Sequence, residues 1–179
     1  MSIKPWICNG SRTIIKDRWI DLHADDCALP DGTKISPFYV NDVPDFVVVV
    51  AVTVDGDFVF VRQYRHGTRQ ILLELPAGCM EPTDSDPGAG AARELFEETG
   101  YAGSEPYFSV RSRECACISN FAHCYLIRTA KSQQPASGRH RGPGDRCDVC
   151  RGDEKAYGGR RARAGGACGG DVLCGKNFK

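Results

Sequence analysis

Residues 78–101 read GCMEPTDSDPGAGAARELFEETGY, and they are the most informative segment of the chain. Asp86 suits the cap position of a helix, and the following Pro87 suits the first helical position. Gly100 is placed to end the helix, because glycine readily adopts the left-handed backbone conformation found there. The stretch therefore predicts a loop that leads into one capped helix, running from Pro87 to about Thr99.

Three glutamates share one face of this predicted helix. Glu94, Glu97 and Glu98 stand at positions i, i+3 and i+4, which an α-helix brings together. Their like charges repel each other, so one interpretation is an acidic face covered by solvent. The other interpretation is a site for a divalent cation, because clustered carboxylates suit a hard ion such as Mg²⁺.

Short β-prone segments surround the helix in the sequence. Segment 46–54 is rich in valine, as expected of a buried strand, and an Asp-Gly-Asp turn follows it. Further strands are predicted at 58–62, 71–75, 107–110 and 122–127. With the helix, these segments predict a mixed α/β fold in which a helix packs on a sheet.

The helix and the loop before it resemble the Nudix box. That motif runs glycine, five residues, glutamate, seven residues, Arg-Glu, an aliphatic, any residue, Glu-Glu, any residue, glycine and an aliphatic. The match is close from Arg93 onward, with Tyr101 in place of the final aliphatic. Counting from Gly78 leads to Asp84 and counting back from Arg93 leads to Ser85, so the loop is one residue longer and Asp84 is the better acidic candidate. The resemblance implies an α/β fold with a Nudix-type mixed sheet sandwiched by helices.

The resemblance also implies roles for individual residues. Glu94, Glu97 and Glu98 would hold Mg²⁺, or alternatively Mn²⁺, with help from the backbone carbonyl of Ala77. Glu97 and Glu98 are also the catalytic candidates, together with Arg93, which would brace the loop through a carboxylate. The metal ions of such a site neutralise diphosphate oxygens and activate a water for attack on phosphorus.

Two segments outside the box resemble the ADP-ribose pyrophosphatase branch of the family. They are Val-Arg-Gln-Tyr-Arg at 61–65 and Leu-Glu-Leu-Pro-Ala-Gly at 73–78. Arg62, Arg65 and Glu74 are therefore candidates for substrate binding, since guanidinium groups suit phosphate. The simpler interpretation is an ordinary charged strand end in which Glu74 pairs with an arginine.

The expected reaction is hydrolysis of ADP-ribose to AMP and ribose 5-phosphate. One alternative is another nucleotide sugar or a dinucleotide as the substrate. A second alternative, from a different class of protein, is a catalytically impaired Nudix module that binds a nucleotide or a protein.

The last 49 residues differ in composition from the rest of the chain. They hold 11 of the 20 glycines, and 11 Lys and Arg stand there against 5 Asp and Glu. Large apolar side chains are few, so the segment cannot bury enough surface to offset the entropy lost on ordering. We therefore expect residues 132–179 to form a poorly ordered tail that lacks the family's closing helix.

Three interpretations of this tail remain open. Cys147, Cys150, Cys168 and Cys174 suggest a zinc site, although only the first pair has the usual spacing. A basic, glycine-rich tail could also contact RNA non-specifically. The third is a shifted reading frame from about residue 138, because permissible codons read one base later spell an acidic loop followed by a helix. The resembling enzymes take a further glutamate from this region, so a shifted frame implies impaired catalysis.

The predicted organisation is an N-terminal β arm over 1–42, a Nudix hydrolase domain over 43–131, and the tail. The net charge is zero, which does not favour nucleic acid as a partner. The longest apolar run, 46–52, is too short to span a bilayer, and no secretory pattern opens the chain, so we expect a cytoplasmic protein without a membrane partner. In the resembling enzymes the arm packs across a dimer partner, which implies a homodimer acting on a small-molecule nucleotide.

Overall fold

The chain folds into two compact units. The computed structural model describes residues 3–113, 115–131 and, for the backbone alone, 146–150. One unit consists of Met1–Asp45 with Arg111–Ala122, and the other of Phe46–Val110 with His123–Lys179.

A three-stranded antiparallel sheet forms the first unit. Its strands lie in the order β1 (Ile7–Lys16), β2 (Asp21–Ala28) and β3 (Lys34–Asn41). The turn between β2 and β3 contains Gly32 with a φ of 88°, a left-handed conformation that favours glycine. Every residue of β1 is exposed, whereas Ala24 and Cys27 of β2 are buried. The β structure that the sequence predicted for the N-terminal arm is therefore present as one small sheet.

An eight-stranded sheet organises the second unit. Its central order is β11-β5-β4-β10-β8, while β6 pairs with β5, β7 with β4, and β9 with β10. The bounds are β4 (Phe46–Thr53), β5 (Phe58–Arg65), β6 (Gln70–Glu74), β7 (Ala77–Cys79), β8 (Tyr101–Gly103), β9 (Tyr107–Ser112), β10 (Ala122–Lys131) and β11 (Arg146–Cys150).

Helix α1 (Pro87–Thr99) follows β7 and has both of the ends that the sequence predicted. The Asp86 side chain accepts a hydrogen bond from the Ala89 backbone N–H, which caps the first turn. Gly100 adopts a φ of 72° and donates its N–H to the Phe96 carbonyl, which closes the last turn. No helix in the described ranges is long and apolar enough to cross a bilayer.

The core of the second unit lies between α1 and the sheet. Alternate residues of β4 turn inward, as a strand with one buried face requires. They meet Ala91 and Leu95, which stand four residues apart on one face of α1. Burying a side chain as large as valine or leucine contributes about 1.5–3 kcal/mol, so this layer fixes α1 on the sheet. The cluster comprises Val47, Val49, Ala51, Val59, Ala91, Leu95, Tyr101, Tyr125 and Ile127.

Strand β11 is the one described part of the tail, and the composition of the tail did not predict it. Its backbone pairs antiparallel with β5, from Arg146 opposite Arg62 to Cys150 opposite Phe58. An edge strand needs only the free backbone groups of its neighbour, so it can form in a segment poor in apolar residues. The proposed zinc pair Cys147 and Cys150 lies on this extended backbone. The remaining tail residues, with Cys168, Cys174 and the predicted lack of a closing helix, lie outside the described residues.

Candidate catalytic helix and its loop

Arg93 ties the helix to the loop that precedes it. Its Nε and Nη2 donate to the two carboxylate oxygens of Asp84, each at a distance of 2.9 Å. Its Nη2 also donates to the Cys79 carbonyl at 3.1 Å. Asp84 accepts a further bond from the Glu81 backbone N–H at 2.8 Å. Of the two candidates for the acidic position of the motif, Asp84 is the one that bonds Arg93, while the Ser85 hydroxyl bonds Asp86.

This ion pair is largely removed from solvent. Only 5% of the Asp84 side chain and 19% of the Arg93 side chain are exposed. The hydrogen bonds from Arg93 lower the pKa of Asp84, and the same contact raises the pKa of Arg93. Bidentate guanidinium–carboxylate contacts are among the stronger polar interactions in proteins. Arg93 thus links helix α1 to the loop that precedes it.

The three glutamates of α1 have different environments. Glu94 accepts from Arg93 Nη1 at 2.8 Å and is nearly buried, with 13% of its side chain exposed. Burial raises the pKa of Glu94, although the bond from Arg93 opposes that shift. Glu97 is half exposed and accepts from the same nitrogen at 3.3 Å. Glu98 accepts from the Ala77 backbone N–H at 3.1 Å, which places it against the start of β7.

Two glycines allow the loop and the helix to approach each other. A Cβ added at Gly78 would lie 2.1 Å from the Glu94 carboxyl carbon. A Cβ added at Gly90 would lie 3.0 Å from an Asp84 carboxylate oxygen. The side chains of Glu94 and Asp84 therefore occupy space that only glycine leaves open, which explains both glycines in steric terms.

The donor set of this region fits a hard divalent cation in its chemistry. Carboxylates and a backbone carbonyl are the ligands that Mg²⁺ takes from proteins. A buried Glu94 beside a half-exposed Glu97 also leaves negative charge that a cation would neutralise. Among the described residues, however, no three His, Cys, Asp or Glu side chains converge into a closed metal cluster. Arg93 instead bridges Glu94 and Glu97.

The proposed substrate residues do not all lie together. Glu74 of β6 accepts from Arg65 Nε at 2.9 Å and from Gln63 Nε2 at 2.9 Å, so these three side chains form one cluster. Gln63 and Arg65 lie on the face of β5 that carries the core residue Val59, because strand residues two apart point the same way. Arg62 stands an odd number of residues from Arg65 and lies on the opposite face of the sheet.

Gln63 and Gly90 are the members of this region that sequence reasoning passed over. Alternation along β5 was a usable signal for Gln63, because it places residues 63 and 65 on one face. Gly90 had no such signal, since its role depends on a carboxylate that reaches it from the loop.

Each unit of the chain contains a segment that matches the model of a known family. A model described as the NUDIX domain matches residues 44–148, which is more than half of the chain. A model described as the nucleoside diphosphate sugar hydrolase N-terminal domain matches residues 6–41. The NUDIX match runs beyond residue 131 and includes the first three residues of β11, 146–148.

Two characterised relatives resemble the chain in sequence. It is 38% identical over 92 residues to the ADP-ribose pyrophosphatase of Bacillus subtilis (strain 168), covering 51% of this chain and 49% of that protein. It is 31% identical over 126 residues to the methanol dehydrogenase activator of Bacillus methanolicus, covering 70% of this chain and 67% of that protein. The match thus spans about half the length of the first relative and two thirds of the second.

The fold also has a counterpart among solved structures. A crystal structure of an ADP compounds hydrolase superposes with a TM-score of 0.67 at 18% identity, covering 80% of this chain and 78% of that chain. This likeness concerns the fold, and it confirms the predicted mixed α/β architecture.

Proposed function

This chain belongs to the Nudix family, and from that premise we propose that it hydrolyses a nucleoside-diphosphate-linked compound. ADP-ribose is the proposed substrate, and AMP and ribose 5-phosphate are the proposed products. The observation that carries the proposal is the Arg93–Asp84 brace, which holds α1 against its loop so that Glu94, Glu97 and Glu98 share one side.

We assign the glutamates of α1 to a cation site. Glu94, Glu97 and Glu98, with the carbonyl of Ala77, are the proposed oxygen donors for Mg²⁺ or Mn²⁺. When bound, the cation would neutralise diphosphate oxygens and lower the pKa of a nearby water. Glu98 is held in place by the Ala77 N–H, and Glu97 is half exposed, so a ligand can reach it, although Arg93 Nη1 also bonds it at 3.3 Å. Arg93 positions these groups through its bonds to Asp84 and Glu94.

The substrate proposal rests on the cluster around Glu74. Arg65 is 48% exposed and bonds Glu74 at 2.8 Å, so its guanidinium is preorganised yet reachable by a diphosphate. Gln63 and Glu74 complete a polar patch that can accept hydrogen bonds from ribose hydroxyls and donate hydrogen bonds to them. Arg62 is also proposed as a substrate contact, but it must act from the other face of β5.

A product assay tests the activity and the substrate together. ADP-ribose, other nucleotide sugars, dinucleotides and nucleoside triphosphates are each incubated with the full chain and Mg²⁺ or Mn²⁺. Products are separated by ion-exchange chromatography. We expect AMP from ADP-ribose at a rate above the other compounds, and only when a divalent ion is present. Faster hydrolysis of triphosphates would contradict the substrate assignment, and turnover in excess chelator would contradict the cation site.

The glutamate face is tested by Glu98→Gln. Glutamine keeps an oxygen that can accept the Ala77 N–H bond, so the fold should be unchanged while one charge is lost. We expect turnover to fall by about 10²-fold or more, the scale of a lost catalytic group. Glu105→Gln is the matched control, because Glu105 is exposed and stands after β8, outside both α1 and its preceding loop. Equal turnover in the two variants would contradict the assignment.

A binding or regulatory module is the second candidate function. One relative is named an activator of methanol dehydrogenase, and the chain covers two thirds of that protein. A module of this kind would bind ADP-ribose with an affinity that calorimetry can measure and release no AMP. The product assay and a binding titration on the same preparation therefore separate the two candidates.

We also propose that the arm over residues 1–42 joins two copies of the chain. Its first strand is exposed along its whole length and carries large apolar side chains that a monomer leaves in water. The exposed apolar residues of this arm include Trp6, just before β1, and Ile7, Ile14, Ile15 and Tyr39 of the sheet. We expect a dimer mass by light scattering at micromolar concentration and a monomer for Ile15→Asp. Ser11 is exposed on the same strand, so Ser11→Asp tests whether charge alone separates the copies. A wild-type monomer would refute the proposal.

A further inference from the structure

Two cysteine thiols of the first unit lie in contact on an exposed loop. The Sγ atoms of Cys115 and Cys117 are 3.1 Å apart, and both residues are exposed. The loop follows β9 and precedes β10. No role in the proposed hydrolysis accounts for this pair.

The backbone holds Cys117 firmly. Its carbonyl accepts the Asn41 N–H at 2.9 Å, and the Asn41 carbonyl accepts the Ser119 N–H at 3.3 Å. These two bonds add Ile118 to the end of β3 as a parallel bridge. One thiol is therefore anchored to the sheet, and the other precedes it by two residues. This arrangement limits the conformations through which the two sulfurs could separate.

We propose that Cys115 and Cys117 form a reversible disulfide, which makes this loop a site of thiol oxidation. A disulfide bond is about 2.05 Å long, so the sulfurs need to approach by only about 1 Å from their present separation of 3.1 Å. The oxidant is a low-molecular-weight disulfide of the glutathione type. Disulfides that are exposed or close small rings are the readily reduced ones, which suits a reversible modification.

The exchange proceeds in two balanced steps. The Cys115 thiolate attacks one sulfur of the oxidant, forms a mixed disulfide, and releases the other half as a thiolate. The Cys117 thiolate then attacks the Cys115 sulfur and releases the second half. The two protein thiols lose two electrons and two protons, and two low-molecular-weight thiols are produced.

The order of attack follows from the contact between the two thiols. The hydrogen bond with Cys115 raises the pKa of Cys117, because it favours the protonated Cys117. We assign Cys115 as the first nucleophile, and the Cys117→Ser variant below tests this order. Once its sulfur is in the mixed disulfide, that hydrogen bond is lost and Cys117 can ionise and attack.

A second cysteine pair in the same unit provides an internal comparison. Cys8 of β1 lies directly opposite Cys27 of β2. Cys27 is buried, and burial raises its pKa, so oxidation there should be slower. Trypsin places Cys8 and Cys27 on peptides separate from the loop pair.

The test is peptide mapping after treatment with oxidised glutathione under native conditions. The tryptic peptide 114–128 contains Cys115, Cys117 and Cys124. We expect this peptide to lose two hydrogens while Cys124 alone is alkylated, and to regain both thiols with dithiothreitol. Ring closure should be about tenfold faster than in urea, because the fold holds the thiols together. Equal rates in urea, or full alkylation of Cys115 and Cys117 after treatment, would overturn the proposal.

Variants distinguish the loop pair from other pairings. In Cys117→Ser the second step is blocked, so Cys115 should accumulate a lasting glutathione adduct that the wild type does not retain. Cys124→Ser is the matched control on the same peptide and should oxidise at the wild-type rate. A lasting adduct on wild-type Cys115, or loss of oxidation in Cys124→Ser, would show that Cys117 is not the resolving thiol and would refute the assignment.

Discussion

Replacing Asp84 with Asn should destabilise the unit that carries α1. The Asp84 carboxylate receives three hydrogen bonds, two from Arg93 and one from the Glu81 backbone N–H. Asparagine offers a single oxygen and places an NH₂ group where a donor already points. At least one of the three bonds is therefore lost, and Arg93 keeps its charge in a site where 19% of its side chain is exposed.

The expected loss in free energy of unfolding follows from the burial of the Arg93–Asp84 pair. Removing one partner of a buried ion pair costs about 3–5 kcal/mol, because the remaining charge is left uncompensated. Arg93 retains bonds to Glu94, Glu97 and the Cys79 carbonyl, so we expect the lower end, about 3 kcal/mol. For a chain of this size, 1 kcal/mol shifts Tm by about 2–4 °C, which gives a loss of about 6–12 °C.

Thermal unfolding followed by circular dichroism at pH 7 measures this loss. Asp55→Asn is the matched control, because Asp55 is exposed in the turn between β4 and β5 and makes the same change of charge. The control should unfold within about 0.5 kcal/mol of the wild type, as surface changes usually do. If Asp84→Asn has the same Tm as Asp55→Asn, the Arg93–Asp84 ion pair contributes nothing to stability and the reasoning fails.

Two further predictions concern the arm and the strand after α1. His23 lies between Asp25 at 2.8 Å and Asp42 at 3.3 Å, and the bond to Asp25 raises its pKa. The contribution of His23 to stability is therefore complete below its unfolded pKa of about 6.5 and is lost as pH rises through its folded pKa. The difference in free energy of unfolding between wild type and His23→Gln, measured by urea titration, should therefore narrow between pH 6 and 9. A difference that stays constant over this range would contradict the prediction. Gly103→Ala places a Cβ 2.4 Å from a backbone carbonyl of β10, and we expect a loss of about 1–3 kcal/mol. Gly67→Ala meets nothing within 4 Å and is the control, so equal unfolding midpoints for the two alanine variants would be the contrary result.

Helix α1 could be predicted from the sequence because its determinants are local. Asp86 and Gly100 act on hydrogen bonds within one turn of themselves, and the glutamate face follows from the helical period. The strands around it followed from runs of valine and from turn residues, and the structure confirms that part of the fold. The core also follows from alternation, since Val47, Val49 and Ala51 differ by two.

The loop before the helix could not be settled in this way. Counting from its two ends indicated Asp84 and Ser85, and only the reach of Arg93 across the folded loop decides for Asp84. The tail composition likewise did not predict β11, because an edge strand depends on the free side of β5 rather than on its own side chains.

The helix, its acidic face and the alternating strands could therefore be derived from the sequence, since each arises from interactions between residues a few positions apart. The folded structure was needed to show which carboxylate bonds Arg93, which face of β5 carries Arg65 with Glu74, and that the sulfurs of Cys115 and Cys117 touch. These contacts depend on loop paths and on side-chain rotamers set by packing across the fold, and no local period in the sequence records them.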